Sequence, residues 1–593
     1  MKGFRKWLSI MLAAVMVFAM TIPAAAAPGD TYTLTINSAT SGHTYQAYQV
    51  FKGDYSEVTV DGATQKTLAN IDWGTGVNGT SLLAALKADG TIGEKFTSSA
   101  NADDVATVLQ GTDFASDSAN LDAFAAIVGE HLTGTPAEST LKADTTYTYT
   151  IDGLGGGYYL VKDKDDSLAG DENNAYTKFI LQMVESTTVN AKAEAPNIDK
   201  KIEGTGDGTV SGESNIGETI IFKLTSQVPQ MDGYNWYYFI VNDKLSAGLD
   251  YVGEETITIG NTTLTKDTDY AITADITGTG ANKSTALKIV FKDFLNKHKA
   301  SAGQQITITY KAKLNEYAKA GVEGNENEVT LTYSNNPNYD YDGNKDPDKP
   351  DEPKEDTPTD TTTTKKTYSY TTKLRVVKVD ENGKPLPGAE FKLSGNGLAA
   401  TISTSSQTTT SYVQDANGDW VVGDDGEMRA YVEGTDAGKT RYKQVTVTDT
   451  VVTTEGTTTD IKVEVDANGC LVFKGLGAGT YELEETKAPT GFNALSGKIT
   501  VVITCELPDT IDPAGENPCV WKYYVSGAVT DGSASAPITS KDGFISITVE
   551  NKQGAMLPST GGVGTTIFTI AGLALMIGAI FMLAKKNRRD ETE

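Results

Sequence analysis

The feature that most constrains the fold of this chain is the alternation of apolar and polar residues in many short segments. Thr31–Asn37 and Lys288–Lys292 are two examples, and Gly, Asn and Asp residues separate such segments from one another. Alternation with a period of two is typical of strands that bury one face. We therefore predict an all-β chain of antiparallel β-sandwiches, with short helical inserts at Ser81–Lys87 and Leu121–His131.

Two changes in composition predict domain boundaries. The first lies at Ala193–Pro196, where one strand-like segment ends and another begins. The second is the segment 335–366, which is crowded with Asp, Pro, Asn and Thr and has almost no apolar side chain. Such a segment buries too little surface to offset its ordering entropy, so we expect a solvated acidic loop. Three domains follow, over residues 28–193, 194–370 and 371–553.

Both ends of the chain have the pattern of targeting segments. Residues 1–27 combine basic residues, an apolar stretch and small residues, which is the pattern of a cleaved secretory signal peptide. Residues 554–593 contain an apolar run over 563–584, long enough to cross a bilayer as a helix, and a basic tail that stays cytoplasmic. A pentapeptide stands just before this run: Leu557, Pro558, Ser559, Thr560 and Gly561. The mature chain is therefore expected to be extracellular.

The composition excludes several classes of function. A formal net charge of −28 argues against nucleic-acid binding, which needs basic residues to neutralise phosphates. No spacing of His, Cys and Asp suggests a metal site, and we predict no metal and no cofactor. The three histidines are far apart and are expected to be surface or loop residues: His43, His131 and His298.

Three cysteines, Cys470, Cys505 and Cys519, all lie in the last third of the chain. Export permits a disulfide, and a bond between Cys505 and Cys519 would close a short loop. One thiol is left over in any pairing, so the connectivity stays open.

Some charged and amide residues occupy positions where the alternation of a strand demands an apolar residue. In the middle domain, Lys200 is in step with apolar neighbours, whereas Lys201 points the other way. The same argument places Asp243 and Asn327 on inward-facing positions of two further strands. One sandwich interior thus receives a lysine, an acid and an asparagine.

The last domain repeats this combination. Lys378, Glu485 and Asn551 are each in step with the apolar residues of their own predicted strands. A desolvated lysine becomes a neutral, nucleophilic amine, and a desolvated acid stays protonated. Such an acid can hydrogen-bond the asparagine amide oxygen, polarise its carbonyl and help ammonia leave. The product is a Lys–Asn isopeptide bond; the alternative is that each trio is only a buried polar network.

Several motifs resemble those of known families. The pentapeptide, apolar run and basic tail resemble the cell-wall sorting signal of Gram-positive surface proteins, in which a sortase cuts between the positions of Thr560 and Gly561. Residues 376–393 and 481–492, with Asn551, closely resemble the B-type collagen-adhesin (Cna) domain. Residues 242–249 and 325–333 are similar to the isopeptide-forming second domain of fimbrial subunits. The chain thus resembles the shaft-forming pilins of sortase-assembled pili.

The resemblance implies a fold of three tandem immunoglobulin-like, Cna-type sandwiches. It also implies which residues are linked. In the middle domain it implies a Lys200–Asn327 bond promoted by Asp243, and in the last domain a Lys378–Asn551 bond promoted by Glu485. The first domain departs from this pattern, because no lysine lies on its opening strand and Lys162 stands where the last domain has Glu485. We predict no internal bond there.

The resemblance further implies that the Thr560 carbonyl of one subunit is joined to a lysine of the next. Shaft pilins carry this lysine at the end of the first domain, where this chain offers Lys192, with Lys201 as the fallback. The motif around Lys192 matches only in part, since its tryptophan, tyrosine and proline are missing. The implied partners are other copies of the chain, a pilus-class and a housekeeping sortase, minor pilins and peptidoglycan, with the membrane only for the precursor.

Two other functions remain open from the sequence. The same domains can form the stalk of a wall-anchored adhesin that never polymerises, with the acidic loop and the insertion 400–460 as the places for adhesion. A cell-wall enzyme is the second, although the sequence offers no catalytic constellation beyond the single-turnover isopeptide step.

Overall fold

The computed structural model describes residues 31–580. It omits 39, 61–62, 116–117, 144–146, 169–173, 192–194, 205–207, 399, 403–407, 415, 424–427, 456–461, 512–516, 529–543 and 555–567. The described residues form mainly β-strands, arranged in six sheets. The prediction of an all-β chain is confirmed.

The described residues of the first domain form nine strands in two sheets. The sheet orders are β5-β6-β1-β9 and β3-β2-β7-β8, and β4 pairs with β2. Leu34, Tyr45 and Val161 lie in the core between these sheets. The strands are β1 Tyr32–Asn37, β2 Tyr45–Val60, β3 Ala63–Trp73, β4 Ala137–Glu138, β5 Thr140–Leu141, β6 Thr148–Leu154, β7 Gly157–Asp163, β8 Lys178–Met183 and β9 Thr187–Asn190.

Helices cover the other face of one of these sheets. They are α1 Gly79–Ala88, α2 Gly93–Phe96, α3 Ala102–Leu109, a 3-10 turn Thr112–Phe114, and α4 Ala119–Glu130. Both predicted helical inserts are confirmed, as α1 and α4. The predicted helical content was too low, because α3 was not predicted. Its signals were present: Asn101 caps the helix, and four residues are buried with helical spacing, Ala102, Val105, Ala106 and Leu109.

The middle domain is a sandwich of two sheets, ordered β10-β12-β18-β14-β15 and β11-β21-β19-β13-β17-β16, with β20 on β19. Phe222, Phe239, Ile257 and Leu331 are fully buried between them. The strands are β10 Ile198–Ile202, β11 Ser211–Glu213, β12 Thr219–Gln227, β13 Phe239–Leu245, β14 Leu249–Ile259, β15 Thr262–Thr263, β16 Tyr270–Thr277, β17 Ser284–Phe291, β18 Gln305–Leu314, β19 Asn325–Ser334, β20 Thr359–Thr361 and β21 Lys365–Tyr370, with helices α5 Phe294–His298 and α6 Tyr341–Asn344.

The acidic segment 335–366 is anchored to the middle domain at Tyr341, although most of its residues are exposed or half-buried, as expected for a solvated loop. Tyr341 of α6 is fully buried and contacts Tyr238 edge to face. The Tyr341 hydroxyl donates to Pro358 O at 2.6 Å, and β20 pairs with the end of β19. The segment packs because its two tyrosines, which the composition argument discounted, supply the apolar surface that Asp and Pro lack.

The last domain also has two facing sheets, ordered β27-β26-β28-β30-β22-β34, with β24 and β25 on β28, and β29-β23-β31-β32-β33. Leu374, Phe391, Trp521 and Ile545 are buried in its core. The strands are β22 Thr372–Asp380, β23 Glu390–Gly395, β24 Ala400–Ile402, β25 Thr408–Gln414, β26 Trp420–Val422, β27 Met428–Ala430, β28 Tyr442–Thr453, β29 Lys462–Glu464, β30 Cys470–Leu476, β31 Gly479–Lys487, β32 Ile499–Glu506, β33 Val520–Gly527 and β34 Phe544–Asn551.

Neither targeting segment is fully described. Residues 1–27 lie outside the described part of the chain, and of the predicted span 563–584 only 568–580 are described, as helix. Within the described residues, no helix has the length and apolar character needed to cross a membrane.

Candidate functional site

The middle domain brings its predicted lysine, acid and asparagine together. Lys200 lies on β10, at the edge of one sheet, while Asp243 on β13 and Asn327 on β19 belong to the facing sheet. The exposed fractions are 1% for Lys200, 2% for Asp243 and 0% for Asn327. The alternation argument therefore identified three side chains that share one interior.

A fourth residue, Tyr310 of β18, connects these three. Lys200 Nζ forms an ion pair with Asp243 and donates to the Tyr310 hydroxyl at 3.0 Å. The Tyr310 hydroxyl donates to Asp243 Oδ1 at 2.8 Å and accepts from Asn327 Nδ2 at 2.7 Å. Among the described residues, Asn327 Oδ1 has no hydrogen-bond partner.

Burial sets the electrostatics of this cluster. Desolvation lowers the pKa of the Lys200 ammonium, although the neighbouring Asp243 acts in the opposite direction. Desolvation raises the pKa of the Asp243 carboxyl, and the neighbouring Lys200 acts in the opposite direction. Both shifts favour the pair of neutral groups, an amine and a carboxylic acid, over the buried ion pair. A neutral Lys200 amine is the form that can attack a carbonyl carbon.

Tyr310 was not predicted from the sequence, although its position in β18 carries a signal. In β18 the burial alternates, and Tyr310 stands in line with Ile306, Ile308 and Ala312 on the inward face. A tyrosine at such a position must satisfy its hydroxyl inside the core. Its ring also stacks on Phe222, with centroids 5.4 Å apart.

The last domain places its trio differently. Lys378 on β22 and Asn551 on β34 lie on neighbouring parallel strands of one sheet, where Lys378 pairs with Val549 and Asp380 with Asn551. Glu485 comes from β31 of the facing sheet. Lys378 is fully buried and Asn551 is 1% exposed. The second predicted trio therefore also meets in one interior.

In this second cluster the acid contacts the asparagine without an intervening hydroxyl. Asn551 Nδ2 donates to Glu485 Oε1 at 2.8 Å, and Lys378 Nζ donates to the Val549 carbonyl at 3.0 Å. Burial lowers the pKa of Lys378 to about 8. The acid was expected to bond the amide oxygen, but Glu485 contacts the amide nitrogen, and Asn551 Oδ1 has no partner among the described residues. The carboxyl thus lies beside the group that would leave as ammonia.

The residues predicted for polymerisation are not described. Lys192 and the pentapeptide Leu557, Pro558, Ser559, Thr560 and Gly561 lie outside the described part of the chain. The fallback, Lys201, is half-buried on β10. In the first domain, Lys162 Nζ pairs with Asp165 Oδ1 at 2.7 Å.

The prediction that each histidine is a surface or loop residue is wrong for His298, which ends α5 and is buried, whereas His43 lies in a loop but is also buried. His43 is 5% exposed and its Nδ1 lies 2.9 Å from Asp163 Oδ1, while His298 is 8% exposed and packs against Phe294. The contact between His43 and Asp163 joins segments 120 residues apart, which spacing along the chain does not reveal.

The cysteines are free thiols in this structure. Cys505 lies beside Cys519. The pKa of the Cys505 thiol is raised, chiefly by a hydrogen bond with the Cys519 thiol and secondly by burial. The disulfide between them stays a prediction, and Cys470, the first residue of β30, is buried in a separate cluster with Val445 and Val447 of β28.

Comparisons with known proteins match three stretches of the chain. Residues 216–337 match the family model of the Gram-positive pilin backbone subunit 2, a Cna-B-like domain, and residues 372–512 match a prealbumin-like fold domain. Residues 549–591 match the LPXTG cell wall anchor motif.

Two curated relatives are similar over most of the chain. The trypsin-resistant surface T6 protein of Streptococcus pyogenes serotype M6 is 25% identical over 421 residues, which cover 67% of this chain and 70% of the relative. The fimbrial subunit type 2 of Actinomyces naeslundii is 23% identical over 389 residues, 63% of this chain and 58% of the relative. A solved structure of the T6 backbone pilin of S. pyogenes aligns with a TM-score of 0.46 at 16% identity, covering 89% of this chain and 99% of that one.

Tandem β-sandwich domains followed by a wall-anchor motif define a surface protein attached to the cell wall of a Gram-positive bacterium. Within that class, the chain is similar to the pilin backbone subunits, whose Cna-B-like domain its residues 216–337 match.

Proposed function

We propose that this pilin is the shaft subunit of a covalent pilus, in which a sortase joins the Thr560 carbonyl of each subunit to Lys192 of the next. A pilus-class sortase builds the polymer, and a housekeeping sortase transfers its base to peptidoglycan. Minor pilins join the same polymer. The match of residues 216–337 to a pilin backbone domain supports the shaft over the stalk of a monomeric adhesin.

We further propose that each subunit is clamped by two internal isopeptide bonds, Lys200–Asn327 and Lys378–Asn551. The observation that carries this proposal is that two domains each bury a lysine whose pKa is lowered beside an acid and an asparagine. A buried polar cluster needs partners for its groups, yet both asparagine Oδ1 atoms lack one among the described residues. A network kept only for stability would be expected to satisfy them.

The reaction balances without a cofactor. The lysine ammonium passes one proton to the acid, and the neutral Nζ attacks the asparagine Cγ. The Nζ–Cγ bond forms, the Cγ–Nδ2 bond breaks, and the second amine proton leaves with Nδ2 as ammonia. Formation of each bond therefore releases one ammonia molecule and happens once per subunit, so the protein is not an enzyme in the ordinary sense.

The polymer linkage is tested with Lys192→Arg, which keeps the charge and removes the nucleophile. Lys201→Arg on the next strand is the matched control. We expect high-mass ladders of wall-released pili to disappear in the first strain and persist in the second. Ladders that survive Lys192→Arg and vanish with Lys201→Arg would move the linkage to Lys201.

A further inference from the structure

The two clusters differ in how the acid reaches the asparagine. In the last domain, Glu485 Oε1 lies 2.8 Å from Asn551 Nδ2, so the carboxyl touches the leaving nitrogen directly. In the middle domain the acid is Asp243, whose side chain is one methylene shorter. The hydroxyl of Tyr310 stands between them, 2.8 Å from Asp243 Oδ1 and 2.7 Å from Asn327 Nδ2.

We propose that Tyr310 is a catalytic residue of the middle domain, whose hydroxyl relays a proton from Lys200 Nζ to Asn327 Nδ2. This inference rests on the proposed Lys200–Asn327 bond. The hydroxyl is within hydrogen-bond distance of both nitrogens, at 3.0 Å and 2.7 Å, and the residue is fully buried. Solvent therefore has no access to carry the proton instead.

The relay conserves every proton. Asp243 first takes one proton from the Lys200 ammonium, which frees the Tyr310 hydroxyl hydrogen to turn from Oδ1 toward Nδ2. As Nζ attacks the asparagine Cγ, it passes a proton to the Tyr310 oxygen, and Tyr310 passes its own hydrogen to Nδ2. The Cγ–Nδ2 bond then breaks, ammonia leaves, and Tyr310 is again a neutral phenol. Burial raises the pKa of this phenol well above its usual value, so the hydroxyl keeps its hydrogen between transfers.

The Tyr310 hydroxyl also holds the Lys200 amine and the Asn327 amide in position. Tyr310 and Lys200 belong to one sheet, and Asp243 and Asn327 to the other, so the hydroxyl bonds across the gap between the layers. Its ring is fixed by stacking on Phe222. A phenylalanine at this position keeps the ring contacts and removes only the hydroxyl.

The experiment compares bond formation in full-length chains with Tyr310→Phe and with Tyr251→Phe. Tyr251 is a matched control, since its ring contacts Tyr310 at 5.9 Å while its hydroxyl bonds Glu255 outside the cluster. Chains are made in a cell-free system with a pulse of heavy lysine, and cross-linked tryptic peptides are quantified over time. The Lys378–Asn551 peptide of the same chain serves as an internal standard for synthesis and for folding of the last domain.

We expect Tyr310→Phe to slow the Lys200–Asn327 bond at least about 100-fold, in the range of general acid–base catalysis, and to leave the Lys378–Asn551 bond unchanged. Equal rates for Tyr310→Phe and wild type would overturn the relay and leave the clamp intact. A wild-type chain without any Lys200–Asn327 peptide would overturn the clamp, and the relay with it.

A second measurement covers the case in which Tyr310→Phe fails to accumulate. Replacing all tyrosines by 3-fluorotyrosine keeps the ring and the hydroxyl but lowers the phenol pKa. The relay predicts a changed rate for the Lys200–Asn327 bond alone. An unchanged ratio of the two cross-linked peptides would contradict it.

Discussion

At the scale of single residues, burial lowers the pKa of the lysine in both domains and so favours the amine form that can react. Lys378 is the clearer case, because burial desolvates its charge while its Nζ donates to the neutral Val549 carbonyl. With a pKa of about 8, roughly one Lys378 amine in ten is neutral at pH 7, against about one in several thousand for a solvated lysine. No bound cofactor is needed to make it a nucleophile.

This pKa predicts how the Lys378–Asn551 bond depends on pH. The reactive form is the unprotonated amine, so the rate should rise about tenfold from pH 6 to pH 7 and level off above pH 8. The measurement is the yield of the cross-linked peptide over time, after freshly synthesised chains are shifted to buffers between pH 6 and pH 9. A rate independent of pH over this range would contradict a rate-limiting lysine deprotonation.

The sequence predicted six of the seven residues in the two clusters, because alternation within a strand fixes which face a side chain takes. It did not predict Tyr310, since a tyrosine suits either the core or the surface and carries no mismatch with its strand. It also could not predict that Asp243 reaches Asn327 through a hydroxyl, which depends on the gap between two sheets.

At the scale of strands and sheets, the two proposed bonds connect different parts of the fold. Lys200–Asn327 would join the two sheets of the middle domain, whereas Lys378–Asn551 would join neighbouring parallel strands, the first and last of the last domain. Sheet order is a product of long-range packing, so the sequence pattern did not distinguish these cases. The helices of the first domain and the packing of Tyr341 were underestimated for a similar reason, because both depend on contacts with residues distant in sequence.

Removing the second bond should weaken the last domain without affecting polymerisation. A bond that closes a loop as long as 378–551 is expected to stabilise the domain by about 4–5 kcal/mol if it acts as a disulfide does. Lys378→Met should therefore lower the melting temperature and increase trypsin cleavage in residues 371–553, while pilus ladders stay intact. Lys384→Met, at an exposed turn next to β22, is the control. Equal protease resistance in the two variants would argue against a clamp at this position.

At the scale of the whole molecule, the clamps determine which part of each subunit bears tension. Force entering at Lys192 and leaving at Thr560 would bypass residues 201–326 and 379–550, because each stretch lies inside a covalent loop. The segment between the clamps, residues 328–377, would carry the load. It contains the acidic segment, which is held by the Tyr341 packing and the β19–β20 pairing.

Single-molecule stretching should therefore show a limited extension before any covalent rupture. The roughly 50 residues between the clamps, at about 3.5 Å each, allow this segment to extend by at most roughly 170 Å. Tyr341→Ala should lower the force at which this extension occurs, and Tyr442→Ala, inside the shielded loop 379–550, should not change it. Extension by several hundred ångströms in the wild type would show that a domain unfolds and that a clamp is missing.

The most direct test of the account is the mass of the subunit itself. The intact mass of a recombinant fragment spanning residues 28–556 is compared with the mass computed from its sequence, after correction for any disulfide. The account predicts a deficit of two ammonia molecules, with peptide mapping assigning one to Lys200–Asn327 and one to Lys378–Asn551. A mass equal to the computed one would reduce both clusters to buried polar networks and contradict the proposal of a covalently clamped shaft subunit.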